Sequence, residues 1–183
     1  SMNPQGALFF LLDFVFSAYI FIVLTRFVLQ LARADFYNPI SQFVLKATNP
    51  LLKPLRRVIP GYGGLDIASL VLVVVLIILK TVILLSIQVG GLPSGIGGAL
   101  VIHALRELAN LILNYVFWTV LIRVLLSWVA PDPYSPVVRV IVQITEPIMA
   151  PVRKLLPPMG GFDLSPLFVL LGIQLLQILF QLR

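Results

Sequence analysis

The sequence contains no cysteine, which excludes disulfides, thiolate metal sites, cysteine nucleophiles and thioether-attached haem. Histidine is almost as scarce. His103 is alone, and with Glu107 four residues on it offers two ligands on one helical face, too few to define a metal site. Charge is thin as well: Asp, Glu, Lys and Arg make up 11% of the chain, against about 25% in soluble domains. Apolar residues replace them at 60%, where about 45–50% is ordinary. A water-soluble core cannot absorb that excess, but a bilayer can. The charge that remains is unbalanced, with 13 Lys and Arg against 7 Asp and Glu. No long basic polar surface interleaved with aromatics accompanies it, so the expected partner is a lipid bilayer with anionic headgroups, and no direct contact with nucleic acid is expected. Ser1 before Met2 reads as a cloning remnant. The following stretch lacks a basic n-region and a small-residue cleavage site, so the first apolar run is expected to be a retained helix.

Roughly 20 apolar residues of helix cross a hydrocarbon core of about 30 Å. Four stretches qualify: Leu8–Leu31, Ile67–Val89, Leu108–Val129, with a start as early as Ala99, and Leu164–Leu182. Between the second and third, the run Gly90-Gly91-Leu92-Pro93-Ser94-Gly95-Ile96-Gly97-Gly98 interrupts any helix and divides the chain into 1–92 and 93–183. The connection after the first span carries Arg33, Lys46, Lys53, Arg56 and Arg57, and the one after the third carries Arg139, Arg153 and Lys154. The central connection has only Arg106, offset by Glu107. Positive charge gathers on the cytoplasmic side, so both termini are expected outside and both basic connections inside.

Shifting the chain against itself by 97 residues aligns Tyr19–Leu79 with Val116–Leu176 without a gap. Identical pairs cluster in and around the basic connection: Arg26 with Arg123, Asp35 with Asp132, Pro39 with Pro136, Thr48 with Thr145, Pro50 with Pro147, Arg56 with Arg153 and Asp66 with Asp163. Each unit is thus a span, a basic arm and a return span, in one orientation. The expected fold is an all-α membrane protein of four transmembrane helices, built as two tandem parallel-repeat hairpins.

Asn38-Pro39 and Ser135-Pro136 each place a capping residue before proline at a first helical position, so a helix starts in both arms. Ile40, Phe43, Val44 and Ala47 share one face against Ser41, Gln42, Lys46 and Asn49, as Val137, Val140, Ile141 and Ile144 do against Arg139, Gln143 and Glu146. Too short to span, each reads as an interfacial amphipathic helix. Pro50, Pro54 and Pro60, and their counterparts Pro147, Pro151 and Pro157, are expected to break it into short turns bearing Arg56-Arg57 or Arg153-Lys154, the pairs offered to lipid or a partner. Gly63-Gly64 or Gly160-Gly161 then permits re-entry, and Asp66 or Asp163 can cap the next span.

The second unit, Arg123-Val-Leu-Leu-Ser-Trp-Val-Ala-Pro-Asp-Pro-Tyr-Ser-Pro136, then Thr145-Glu-Pro-Ile-Met-Ala-Pro-Val-Arg153 and Pro157-Pro-Met-Gly-Gly-Phe-Asp-Leu-Ser-Pro166, closely resembles the repeat unit of the YggT family of bacterial and plastid membrane proteins. The first unit is more degenerate, with Ala34 and Phe36 where the second has prolines. The resemblance implies no established enzymatic activity and no cofactor. It implies placement in a bacterial inner membrane and association with osmotic tolerance and potassium uptake. Relatives lie near cell-division genes, and plastid relatives are associated with nucleoid distribution or cytochrome haem assembly.

Ionisable residues inside spans are costly and are functional suspects by default. Asp13, Arg26, Lys80 and Arg123 are such residues. The repeat maps Asp13 onto Asn110, Ser17 onto Asn114 and Lys80 onto Gln177. With antiparallel spans, Asp13 and Lys80 share a depth and are expected to form an ion pair, with Asn110 and Gln177 its neutral counterpart. Arg26 and Arg123, two turns inside the cytoplasmic end, can snorkel to headgroups or reach Asp66 and Asp163 across the hairpin. Gln174, Gln177 and Gln181 fall on one face suited to helix packing or contact between copies. Gly61-Tyr62-Gly63 resembles a potassium filter only in those three letters, with Pro60 before it, and a turn fits better. Ser127, Asp132 and His103 make no triad, because nothing fixes their proximity. A noncatalytic scaffold or an assembly and stress-response factor is expected, with a component or modulator of ion transport as the alternative.

Overall fold

Asn3-Pro4 opens the first helix with the chemistry a helix start needs: the Asn3 side chain accepts from the Gly6 N–H at 2.9 Å, and proline follows where no N–H is missed. A computed structural model describes residues 1–129, 132–157, 160–161 and 163–182. Within them lie six α-helices and no strand: α1 Pro4–Leu31, α2 Pro39–Val58, α3 Ile67–Val89, α4 Gly97–Val129, α5 Pro136–Leu155 and α6 Ser165–Leu179.

Three of these, α1, α3 and α4, are long and apolar enough to cross a membrane. The fourth expected span is shorter than Leu164–Leu182. Helix α6 has 15 residues, about 22 Å at 1.5 Å per residue against a core of about 30 Å. It ends at Leu179 because the chain turns at Phe180, and Gln181 takes a left-handed φ of 53°. Helix α4 is longer than expected, beginning at Gly97 and carrying Arg106 and Glu107. Large apolar side chains such as Phe10, Phe14, Trp118 and Leu175 are exposed along these helices. Such a surface suits lipid and not water.

The prolines of the arms do not break their helices, as the sequence led us to expect. Pro50 and Pro54 lie inside α2, and Pro147 and Pro151 inside α5. Spaced four apart, each pair falls on one exposed face, so the hydrogen bonds they forfeit are lost where solvent or headgroups can reach the freed carbonyls. The buried face, Ser41, Val44, Thr48 and Leu52 in α2, and Val140, Ile144, Thr145 and Met149 in α5, contains no proline. That face is rotated from the expected one, since Phe43 and Val137 are exposed. Thr48 and Thr145 turn inward because each meets an arginine there.

Both units pack alike. Helix α1 lies against α3 and α2, and α4 against α6 and α5. The smaller core, Val120, Met149, Val169 and Ile173, consists of the repeat counterparts of Val23, Leu52, Leu72 and Leu76, all buried in the larger one. The units meet through α3 with α4 and α2 with α5. Ala104, Tyr115, Val140 and Ile144 of the second unit enter the first unit's core. An apolar cleft of about 150 Å³ remains between Leu24, Phe27 and Val28 of α1, Ile112 and Val116 of α4, and Ile144 of α5.

Candidate functional site

Polar side chains gather in two layers, each built once per unit. In the layer toward the N-terminal end of α1, Asp13 and Ser17 stand one turn apart and face α3. Lys80 Nζ lies 3.3 Å from Asp13 Oδ1 and donates to Ser17 Oγ at 3.5 Å. In the second unit, Gln177 Nε2 donates to Asn110 Oδ1 at 2.9 Å and to Asn114 Oδ1 at 2.7 Å. Same positions, different chemistry. The ion pair stays open, with the Asp13 side chain 46% exposed, whereas Gln177 is 2% exposed and sealed. An ammonium and a carboxylate at this depth are each tolerable because the other is present. The amide set carries no charge and links α4 to α6 by interhelical hydrogen bonds.

The second layer ties each arm to its span. Arg26, 5% exposed, donates through Nη1 to Thr48 Oγ1 at 2.8 Å, Asn49 Oδ1 at 3.1 Å and the Leu45 carbonyl at 3.5 Å. Arg123 Nη1 repeats this toward Thr145 Oγ1 at 2.9 Å and adds Glu146 Oε2 at 2.8 Å. Each threonine hydroxyl donates in turn to a carbonyl one turn back, Val44 at 2.7 Å and Ile141 at 2.6 Å, so one oxygen serves the helix and the arginine together. Arg26 therefore neither snorkels to headgroups nor reaches Asp66.

The arm's own arginine meets the hairpin aspartate instead. Arg56 pairs with Asp66, which also accepts from Ser69 Oγ at 2.6 Å. Asp66 sits at the N-cap position of α3 without a side-chain cap bond; its Oδ2 serves Arg56 and Ser69 together. Arg153 lies 3.4 Å from Asp163 and 3.0 Å from Glu146, and Asp163 accepts from Ser165 N at 3.0 Å and Oγ at 2.5 Å. The Ser165 hydroxyl, with its backbone N–H and Arg153, holds the Asp163 carboxyl below its ordinary value. Hydrogen bonds from Arg153 and then Arg123 do the same for Glu146. Of the basic pairs expected to face lipid, Arg56 and Arg153 are thus engaged internally. Arg57 and Lys154 are exposed, as are Arg33, Lys46, Lys53 and Arg139.

Several contacts were not legible in the sequence. Tyr19 Oη donates to the Ala47 carbonyl at 3.0 Å, Tyr115 Oη to Thr25 Oγ1 at 2.9 Å across the units, and Asn38 Nδ2 to the Pro136 carbonyl at 3.0 Å. Arg106 Nη2 donates to the Phe180 and Gln181 carbonyls at 3.2 and 2.7 Å, capping the end of α6. Gln181 lies beyond α6, so it does not extend the face begun by Gln174 and Gln177. In Gly61-Tyr62-Gly63 the Tyr62 and Leu65 backbones pair with each other in a tight turn, with Gly63 and Gly64 at φ 61° and 82°. Among the described residues no cluster of three potential metal ligands occurs.

Comparison with known proteins gives this arrangement a lineage. The family model described as CCB3/YggT matches residues 5–87 and 102–182. The chain is 47% identical to an uncharacterized protein of Pseudomonas aeruginosa, covering 94% of this chain and 87% of that one. It is 43% identical to an uncharacterized protein of Vibrio alginolyticus, over 93% of this chain and 91% of that one. It is 41% identical to the uncharacterized protein YggT of Escherichia coli, over 91% of this chain and 85% of that one. No solved structure matches.

Proposed function

Because the chain belongs to the CCB3/YggT family, with two repeat units, we propose that it is a noncatalytic protein of the bacterial inner membrane. In this reading it is a scaffold or an assembly and stress-response factor, with four spans and both termini outside the cytoplasm. Its two arms engage anionic lipid at the cytoplasmic face. The observation that carries this reading is the two-sidedness of the arms. Their tethering groups, Thr48 and Thr145, point inward to arginines of the spans, while exposed Lys46, Lys53 and Arg57 stand beside exposed Phe43, Leu51 and Val58. Lys154 beside Leu155 repeats the pairing. Apolar side chains can enter the headgroup boundary while each cation gains about 1 kcal/mol from an anionic leaflet. Support for the fourth span comes from α6 returning along α4, with apolar residues over most of its length.

In nanodiscs of mixed phosphatidylglycerol and phosphatidylcholine, the wild-type protein is expected to retain phosphatidylglycerol preferentially in native mass spectrometry. Replacing Lys46, Lys53, Arg57 and Lys154 together by Gln is expected to abolish that preference. An unchanged preference rejects the arms as the lipid-engaging surface. The half-exposed Asp13–Lys80 pair favours a second reading, in which the chain conducts ions or modulates their transport. A potassium flux in liposomes that disappears with Asp13→Asn would establish it over the scaffold.

A further inference from the structure

The two units do not meet as equals. Helix α4 presents Ala104 and Tyr115, both buried in the first unit's core, and Leu108, Leu111 and Ile112, partly buried against it. On α1 the counterparts of these five residues are Ala7, Ala18, Leu11, Phe14 and Val15, and all five are exposed. The other side of the contact behaves the same way. Helix α3 packs against α4, and its Leu70, Val74 and Ile78 are partly buried in the shared core. Their counterparts on α6, Leu167, Leu171 and Leu175, are exposed. One chain therefore carries an occupied α3-on-α4 contact and, unoccupied, both of the surfaces that would make the same contact again.

A contact between unlike faces is heterologous, and in repeated units it propagates, into a ring where the rotation closes and an open array where it does not. We propose that α6 of one copy seats on α1 of a second copy, repeating between chains the α3-on-α4 packing already made within each. The seats match in kind at four of the five positions; the fifth, Tyr115, meets Phe21 and Thr25 of α1 and has Ala18 as its counterpart. Alanine stands at Ala7 as at Ala104, where a small side chain lets backbones approach, and Leu11, Phe14 and Val15 are as apolar and bulky as Leu108, Leu111 and Ile112. The occupant is a second copy because the contact it would make is one this sequence already makes. Two copies joined at both seats bring four units around one axis along the membrane normal.

The cysteine-free chain makes the test direct. Single cysteines at Leu11, Phe14 or Val15 in one copy are paired with single cysteines at Leu167, Leu171 or Leu175 in another, co-expressed, and oxidised in native membranes. The control pairs Leu8 with Leu176. These positions and their repeat counterparts, Leu105 and Leu79, are exposed in both units and so lie off the contact. The best α1–α6 pair is expected to give several-fold more disulfide dimer than the control. The unmodified protein in nanodiscs should show a protein mass of at least two chains of 20.3 kDa each. Equal cross-linking by test and control pairs, or a single-chain mass in nanodiscs, would overturn the proposal and leave these faces to lipid.

Discussion

An ammonium held among apolar helices needs a counter-charge, and Lys80 has one 3.3 Å away in Asp13. The second unit solves the same position with amides, so the protein contains its own control. Asp13→Asn strands the ammonium and is expected to lower stability by roughly 1–3 kcal/mol, the range for leaving a buried polar or charged group unpaired. Asp13→Asn, Ser17→Asn and Lys80→Gln together rebuild the second unit's layer inside the first, and should recover most of that loss. Thermal unfolding of the three proteins in one detergent checks the prediction. A triple variant no more stable than the single one would show that the pair is not what links the helices at this depth. This layer was legible in the sequence because both copies kept polar residues at one spacing while changing their charge. Tyr19 and Tyr115 were not legible: their counterparts are Val116 and Ala18, so no repeat drew attention to hydroxyls that prove to bridge elements.

The arms show where local rules of sequence reading yield to position. A proline inside a helix forfeits a hydrogen bond wherever it stands, yet four prolines survive here because they share the exposed side while Thr48 and Thr145 hold the inner side. The starts of α2 and α5 at Pro39 and Pro136, the outline of α3 and the repeated packing followed from prolines and apolar runs. Of the expected caps, Asn38 makes its side-chain bond, whereas Ser135 and Asp66 make none. The length of α6 did not follow, since its end is set by Arg106 reaching from α4 to the Phe180 and Gln181 carbonyls. The choice of partners for the arginines was equally hidden. Sequence offered Arg26 the headgroups or Asp66, and the structure gives it Thr48 instead, with Asp66 taken by Arg56 and Ser69. The arms also differ in acidity. Helix α5 is fastened by Glu146, whereas α2 has Asn49 at that place. Arg153 and Arg123 hold the Glu146 carboxyl below its ordinary value, so the fastening is fully present above the unfolded carboxylate's pKa and is lost as pH falls through the depressed one. Hydrogen exchange of α5 is expected to accelerate as pH drops below about 4.5, after correction for intrinsic exchange, the ordinary glutamate value being near there. Glu146→Gln should flatten that acid response. An acid response unaltered by Glu146→Gln would assign it to another carboxylate, with Asp163 the next to examine.

Across the whole molecule, the two units share a plan and differ in how completely it is filled. The first unit's core draws side chains from α1, α2 and α3, and also from α4 and α5. Among the described residues, the second unit's own core comprises Val120, Met149, Val169 and Ile173 with their flanking contacts. In a bilayer, helices gain little from hiding apolar surface, because lipid is as apolar as their neighbours, so close packing and interhelical hydrogen bonds decide cohesion. The short α6 therefore depends on the Asn110, Asn114 and Gln177 amides and on Arg106 far more than α3 depends on Lys80. In hydrogen exchange of the nanodisc-embedded protein, α6 should open first, with protection on the order of tenfold below that of α3, equivalent to about 1.4 kcal/mol. Gln177→Leu should widen the gap, since it keeps the volume but removes both amide bonds, while Lys80→Gln should leave α6 unchanged. If α3 opened before α6, the smaller core would not be the weaker one, and the stability of the second unit would have to come from surfaces that only a neighbouring molecule can supply.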